Sequence, residues 1–134
     1  MKKIFTTFLS VVVCQLATAQ LKLEVTVHCE EAGTLFVMVQ EQIEELGELS
    51  DIAKLTITGK VNQDDFNVIR NQMTNLTDLD ISGLDSESGE FVYMEGHQKL
   101  RHCVLPTEAT SLPYSVFNGC SNLESAVLPR ELKR

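Results

Sequence analysis

Apolar and polar positions along the chain fall into one phrase that occurs four times. Ile52, Leu55 and Ile57 are spaced apolar–x–x–apolar–x–apolar. Leu76, Leu79 and Ile81 repeat that spacing, then Leu100, Cys103 and Leu105, then Leu123, Ala126 and Leu128. The interval from each phrase to the next is constant, except that the last is shorter by one position. A fixed period of this length marks units too small to bury their own apolar face, which must therefore stack on a neighbour. The pattern predicts an α/β-type solenoid of short stacked parallel strands joined by short helices or turns, with these twelve residues as its core.

The segments between the phrases also keep phase. Ile69, Tyr93 and Phe117 follow one another at the same interval and predict a second apolar column. Asn75 and Asn122 each precede a phrase by one residue, where an amide can satisfy backbone groups at a turn. Ahead of the first phrase, Leu21, Leu23, Val25 and Val27 alternate with polar residues up to Cys29, as in a half-buried strand. Gly33 breaks it. Thr34 then caps an expected helix from about Leu35 to Leu46, with Leu35, Met38, Val39, Ile43 and Leu46 inward and Gly47 ending it. Residues 20–50 thus read as an N-terminal strand–helix cap, which the open end of a solenoid requires. Residues 51–134 hold about four units, the last incomplete. In the first of these, Asp64 or Asp65 is expected to cap a short helix through Phe66, Val68, Ile69 and Met73.

The segment 1–19 reads differently. Lys2 and Lys3 precede a largely apolar run to Leu16, too short to span a bilayer comfortably, and Ala17-Thr18-Ala19 is a small-residue cleavage site. This is the layout of a secretory signal peptide and predicts export, either secreted or to the cell surface, with the periplasm as a further destination. It also predicts that these residues stay outside the fold.

Composition narrows the function. Hydrophobic residues make up 43% of the chain, enough for a packed core, and with no Trp and 6% aromatics that core must be mainly aliphatic. Loss of Lys2 and Lys3 with the leader takes the formal charge from −8 to −10. No basic cluster precedes the Arg130 to Arg134 tail, so nucleic acid and anionic membrane surfaces are excluded as expected partners. Three cysteines remain after the leader, an odd number. Cys29, Cys103 and Cys120 are expected to act as small buried apolar residues, with a Cys103–Cys120 disulfide as the alternative.

Chemistry-bearing motifs are weak. Asp78-Leu-Asp80-Ile-Ser82-Gly83 opens like a calcium loop, but Asp85 occupies the apolar eighth position and Gly89 the place of the bidentate Glu. Leu79 and Ile81 in the same stretch already belong to the repeated phrase. His28-Cys29 and His102-Cys103 are adjacent on strands, so each pair points to opposite faces and cannot jointly hold a metal. No nucleophile elbow, metal-binding helix motif or phosphate loop is present. The expectation is a non-enzymatic chain with no cofactor and no metal.

What remains is a surface. Residues flanking the inward positions should face outward from the stacked sheet: Lys54, Thr56 and Thr58; Asp78, Asp80 and Ser82; His102 and Val104; Ser125 and Val127. Stacked strands lie about 4.8 Å apart, so Asp78 and Asp80 would sit between a Lys/Thr row and a His/Val row. Such a row is the usual recognition face of a solenoid.

The stretch LRHCVLPTEATSLPYSVFNGCSNLESAVLP carries Leu100, Val104, Leu105 and Pro106, then Phe117, Gly119, Cys120 and Leu123, then Leu128 and Pro129. It resembles the BspA-like leucine-rich repeats of exported Bacteroidetes proteins. The resemblance extends over roughly residues 25–134 through AGTL, LTITGKVNQDDFNVIRNQM and LTDLDISG. It implies a leucine-rich-repeat solenoid that is secreted or displayed on the cell, with adhesion to host proteins or other cells as its role. The expected function is an exported binding module for an extracellular protein or glycan. The alternative is an N-terminal structural fragment or cap of a longer array, because Arg134 follows a repeat strand with no evident cap.

Overall fold

The computed structural model describes residues 11–14 (backbone only), 22–85, 94–107, 109, 111–112 and 116–130. These form an α/β fold: one six-stranded sheet, with its strands in sequence order, and short helices. The strands are β1 (Val11–Cys14), β2 (Lys22–Cys29), β3 (Ile52–Gly59), β4 (Asp78–Leu84), β5 (His102–Val104) and β6 (Ser125–Val127). β2 to β6 run parallel. Helix α1 (Leu35–Ile43) connects β2 to β3 by way of a short 3-10 turn, and α2 (Gln63–Gln72) connects β3 to β4.

The leader and its cleavage site fall mostly outside the described residues, as do Leu21, Phe91, Tyr93, most of the loop expected between Gly83 and Gly96, and residues 131–134. The exception is Val11–Cys14, which pairs antiparallel with Lys22–Val25 of β2. This part of the expected leader therefore lies in the sheet: a valine-rich run adjoins a strand edge that presents free N–H and C=O groups.

The repeated phrase sets the sheet's register. Val25, Leu55, Leu79, Cys103 and Ala126 are direct neighbours across the five parallel strands. Ile52, Leu55, Ile57, Leu76, Leu79, Ile81, Leu100, Cys103 and Leu105 are buried in one apolar cluster with Leu35, Val39, Ile43, Phe66, Ile69 and Met73. Phe117, of the expected second column, packs partly buried against the same cluster. The last phrase is less covered: Leu123 and Ala126 are half-buried, and Leu128 is 57% exposed. Among the described residues β6 is the final strand in the sheet order, and its inward row has a neighbour there on one side only.

Neighbouring strands are also joined along their N-terminal ends. The Ala53 carbonyl accepts from Thr77 N at 2.9 Å, the Thr77 carbonyl from Arg101 N at 2.8 Å, and the Arg101 carbonyl from Glu124 N at 2.8 Å. The two phased asparagines act as expected. Asn75 Nδ2 donates to Ser50 O at 2.9 Å and Asn122 Nδ2 to Gln98 O at 2.6 Å. Each acceptor lies two residues before the preceding phrase. The intervening equivalent of the asparagines is Lys99, which is exposed, and the equivalent acceptor is Thr74 O. Lys99→Asn is therefore expected to stabilise the chain by about 1 kcal/mol, the net worth of one such bond, and to raise the melting temperature by a few degrees in a calorimetric scan.

Two local expectations need correction. α1 ends at Ile43, ahead of Gly47, and a turn follows in which Leu46 N and Gly47 N share the Ile43 carbonyl, at 2.7 and 2.9 Å. Leu46 consequently points outward, 43% exposed. The α2 cap is neither Asp64 nor Asp65 but Asn62, whose side chain accepts from Asp65 N at 3.2 Å. Asp65 returns the interaction by accepting from Asn62 N at 3.0 Å, a reciprocal capping box.

Candidate functional site: the outward sheet face

Alternation along each strand turns every second side chain away from the core. Two rows result. Glu24, Lys54, Asp78, His102 and Ser125 are direct neighbours across β2 to β6, and so are Thr26, Thr56, Asp80, Val104 and Val127. Eight of the ten residues expected on this face, all but Thr58 and Ser82, are therefore brought together in two registered rows. Lys54, His102, Ser125 and Val127 are exposed, and Thr56, Asp78, Asp80 and Val104 are half-buried.

Thr58 and Ser82, also expected on this face, are not brought opposite each other. A register shift between Thr56 and Thr58 pairs Thr58 with Gly83 instead of Ser82. Ser82 turns toward its own strand, where Asp80 Oδ1 accepts from Ser82 N at 3.0 Å and Ser82 Oγ at 2.7 Å. This side-chain turn, with the extra residue of β4, is a bulge of the kind that re-aims side chains. Sequence spacing alone contains no sign of it.

Polar bonds across strands organise the face. His102 Nδ1 and Ser125 Oγ share a hydrogen bond of 2.8 Å, as do His28 Nδ1 and Thr58 Oγ1. At the rim, Arg101 Nη2 meets Glu124 Oε2 at 2.7 Å, with both side chains about half exposed. A pair this open is worth about 0–1 kcal/mol to the fold, so its main effect is on the surface potential. The outward residues of the two rows include no Phe, Tyr or Trp.

The segment Asp78–Gly83 lies within strand β4, with Leu79 and Ile81 buried. Asp78 and Asp80 therefore alternate with them on the opposite face of the strand. His28 and His102 are exposed while Cys29 and Cys103 are buried, so each pair divides between opposite faces as the alternation requires. Among the described residues no group of three or more His, Cys, Asp or Glu could hold a metal ion, and no helix is long and apolar enough to cross a membrane.

Cys29, Cys103 and Cys120 are free, buried thiols. Burial pushes the Cys103 thiol up to about 12 and raises Cys29 and Cys120 as well. Thiolate is the reactive form, so these three are poor nucleophiles. Cys120 also donates from Sγ to Met94 O at 2.9 Å.

Two buried polar residues are not legible as such in the sequence. Asp65 is 2% exposed and His97 is 4% exposed. Asp65 Oδ2 accepts from Gly33 N at 2.8 Å, and Asp65 Oδ1 from Leu35 N at 3.1 Å. With the Asn62 bond, one carboxylate holds three backbone amides and faces the N-termini of both helices, where negative charge is favoured. Thr34 does not cap α1 with its side chain: its Oγ1 donates to Glu31 O at 2.7 Å. The carboxylate from α2 serves the first amide of α1 instead.

No protein-family model and no curated protein matches the chain.

Proposed function

We propose that the chain is an exported leucine-rich-repeat module, a short solenoid whose outward sheet face binds an extracellular protein or glycan without catalysing a reaction. The observation that carries this reading is the registered pair of rows, Lys54–Asp78–His102–Ser125 and Thr56–Asp80–Val104–Val127, across strands that recur at a near-constant interval. A face built by repetition offers many equivalent positions at fixed spacing, which suits recognition of an extended partner. The acidic balance argues against nucleic acid, and the leader supports export to a secreted or surface location. The resemblance to BspA-like repeats supports adhesion as the biological role.

The test uses the purified chain and the double variant Asp78→Ala/Asp80→Ala against immobilised fibronectin, laminin and collagen and an oligosaccharide array. Binding to at least one of them, weakened about tenfold or more in the variant, is the expected result; tenfold corresponds to about 1.4 kcal/mol. Circular dichroism of the variant establishes that its sheet is intact. Absence of binding across the panel, or equal binding by the variant, removes this face as the site.

A second reading is favoured by the exposure of Val127 and Leu128 at the β6 edge, each 57% exposed. In that reading the chain is the N-terminal part of a longer array, and further repeats cover β6. Addition of such repeats then abolishes self-association of the chain in sedimentation; a chain that is monomeric alone opposes it.

A further inference from the structure

His97 lies where the segment after α2 meets the turn before β5. Its Nε2 donates to the Met73 carbonyl at 2.9 Å, across 24 residues of sequence. Nδ1 is buried and has no hydrogen-bond partner among the described residues. The His97 amide donates to Met94 O at 3.1 Å. The ring is thus the neutral tautomer, with its proton on Nε2 and a lone pair on Nδ1. A second proton would place a charge in a site that is 4% exposed, where burial outweighs the backbone hydrogen bonds at Met73 and at His97 itself that favour the charged ring.

Among the described residues, the charged group that acts on the ring opposes its protonation. From α2, Arg70 faces it and adds a like charge; its Nε donates to Glu95 O at 3.0 Å. Within the same turn, the Glu95 carboxylate accepts from Asn118 Nδ2 at 3.0 Å. From the following segment comes the Cys120 thiol, which donates to Met94 O. Burial, reinforced by Arg70, pushes the His97 imidazole below its ordinary value and outweighs the backbone hydrogen bonds at Met73 and at His97 itself.

We propose that His97 is an acid-released catch: as the neutral ring it ties the end of α2 to the segment before β5, and when protonated it leaves its site and the two segments separate. The direction follows from proton linkage. The closed form binds fewer protons than the opened form once the pH falls below the ordinary imidazole value of 6.5. Closure is therefore at full strength above that value and is lost progressively as the pH falls toward the lower value of the closed state. The Asp78–His102 neighbours of the outward face span this same junction. Acid would thus divide the face between β4 and β5, but the inference stands whether or not the face binds anything.

Hydrogen exchange on the full chain tests it. Arg101 N and His102 N both donate to Thr77 O, at 2.8 and 3.0 Å, and report opening of the junction. Their protection, corrected for intrinsic exchange, is compared in the native chain and His97→Gln between about pH 7.5 and about pH 5. Glutamine keeps a donor for Met73 O and cannot titrate. The expected result is protection that falls by up to about tenfold per pH unit in the native chain and stays level in the variant. Equal slopes in the two proteins overturn the proposal. So does an NMR titration of the native chain in which the His97 ring gains its proton while Arg101 and His102 remain fully protected, a readout that does not depend on the variant's folding.

Discussion

Asp65→Ala is expected to destabilise the fold by about 3–5 kcal/mol, because three buried or half-buried amides lose a charged acceptor at once. The carboxylate accepts from Gly33 N, Leu35 N and Asn62 N, and it is 2% exposed. Alanine leaves those donors facing a small cavity, and water can reach only part of the site. Asn is not a conservative replacement. Oδ2 receives two of the three amides, so an amide side chain must turn its NH2 toward at least one backbone donor. Asp65→Asn should therefore recover no more than about half of the loss. Urea unfolding checks both variants. Hydrogen exchange on them locates the effect: amides at the start of α1 should lose protection with those of α2, although 30 residues separate Leu35 from Asp65. Loss confined to α2 would mean that the tie between the two helices is not formed.

Gly59→Ala is the second large effect, expected at about 3 kcal/mol or more. Gly59 has φ +96°, and a Cβ there would lie 2.1 Å from the Cys29 carbonyl oxygen. That oxygen accepts from Lys60 N at 2.8 Å, so it cannot move without breaking the end of the β2–β3 pairing. The positive φ alone costs an L-residue about 1–2 kcal/mol, and the backbone clash adds to it. Gly83, the residue paired with Thr58 on the next strand, offers a control. A Cβ at Gly83 would meet Thr58 Cγ2 at 2.6 Å, the end of a side chain that can rotate at the cost of one exposed hydrogen bond, to His28. Gly83→Ala should cost about 1 kcal/mol. Equal midpoints for the two variants in a denaturant titration would show that the Cys29 approach is looser than described.

These effects mark the line between what the chain's pattern reveals and what it hides. The inward positions of the phrase were legible because burial at one face enforces a two-residue alternation, and a slip by one residue would expose every member. Leu55, Leu79 and Cys103 consequently occupy the row their spacing predicts. The outward rows came with them. The asparagines were legible for a similar reason, since a polar residue held in phase with a buried leucine serves the same turn each time. Asp65 was not: its partners Gly33 and Leu35 lie in a different part of the chain, and no local pattern announces a bond across 30 residues. The Asn62-x-x-Asp65 spacing did contain the signal for the cap, because a short acceptor three residues ahead of an acid is a capping box. His97 sits in a polar Gly-His-Gln stretch and looks exposed. Its place 24 residues after Met73 is the signal that it occupies a buried slot of the period. Leu128 is the converse case, an inward position left open because only one neighbouring strand among the described residues covers it.

The repeated phrase organises both the core and the outward face only if the strands stack in one register. Cross-strand NOEs in solution measure that directly. The expected pattern is contact between the side chains of Leu55 and Leu79 and of Leu79 and Cys103, with backbone proximities linking Lys54 to Asp78 and Asp78 to His102. A pattern displaced by one residue, with Leu79 opposite Thr56 or His102, would turn the outward rows into the core and contradict both the fold and the face built on it.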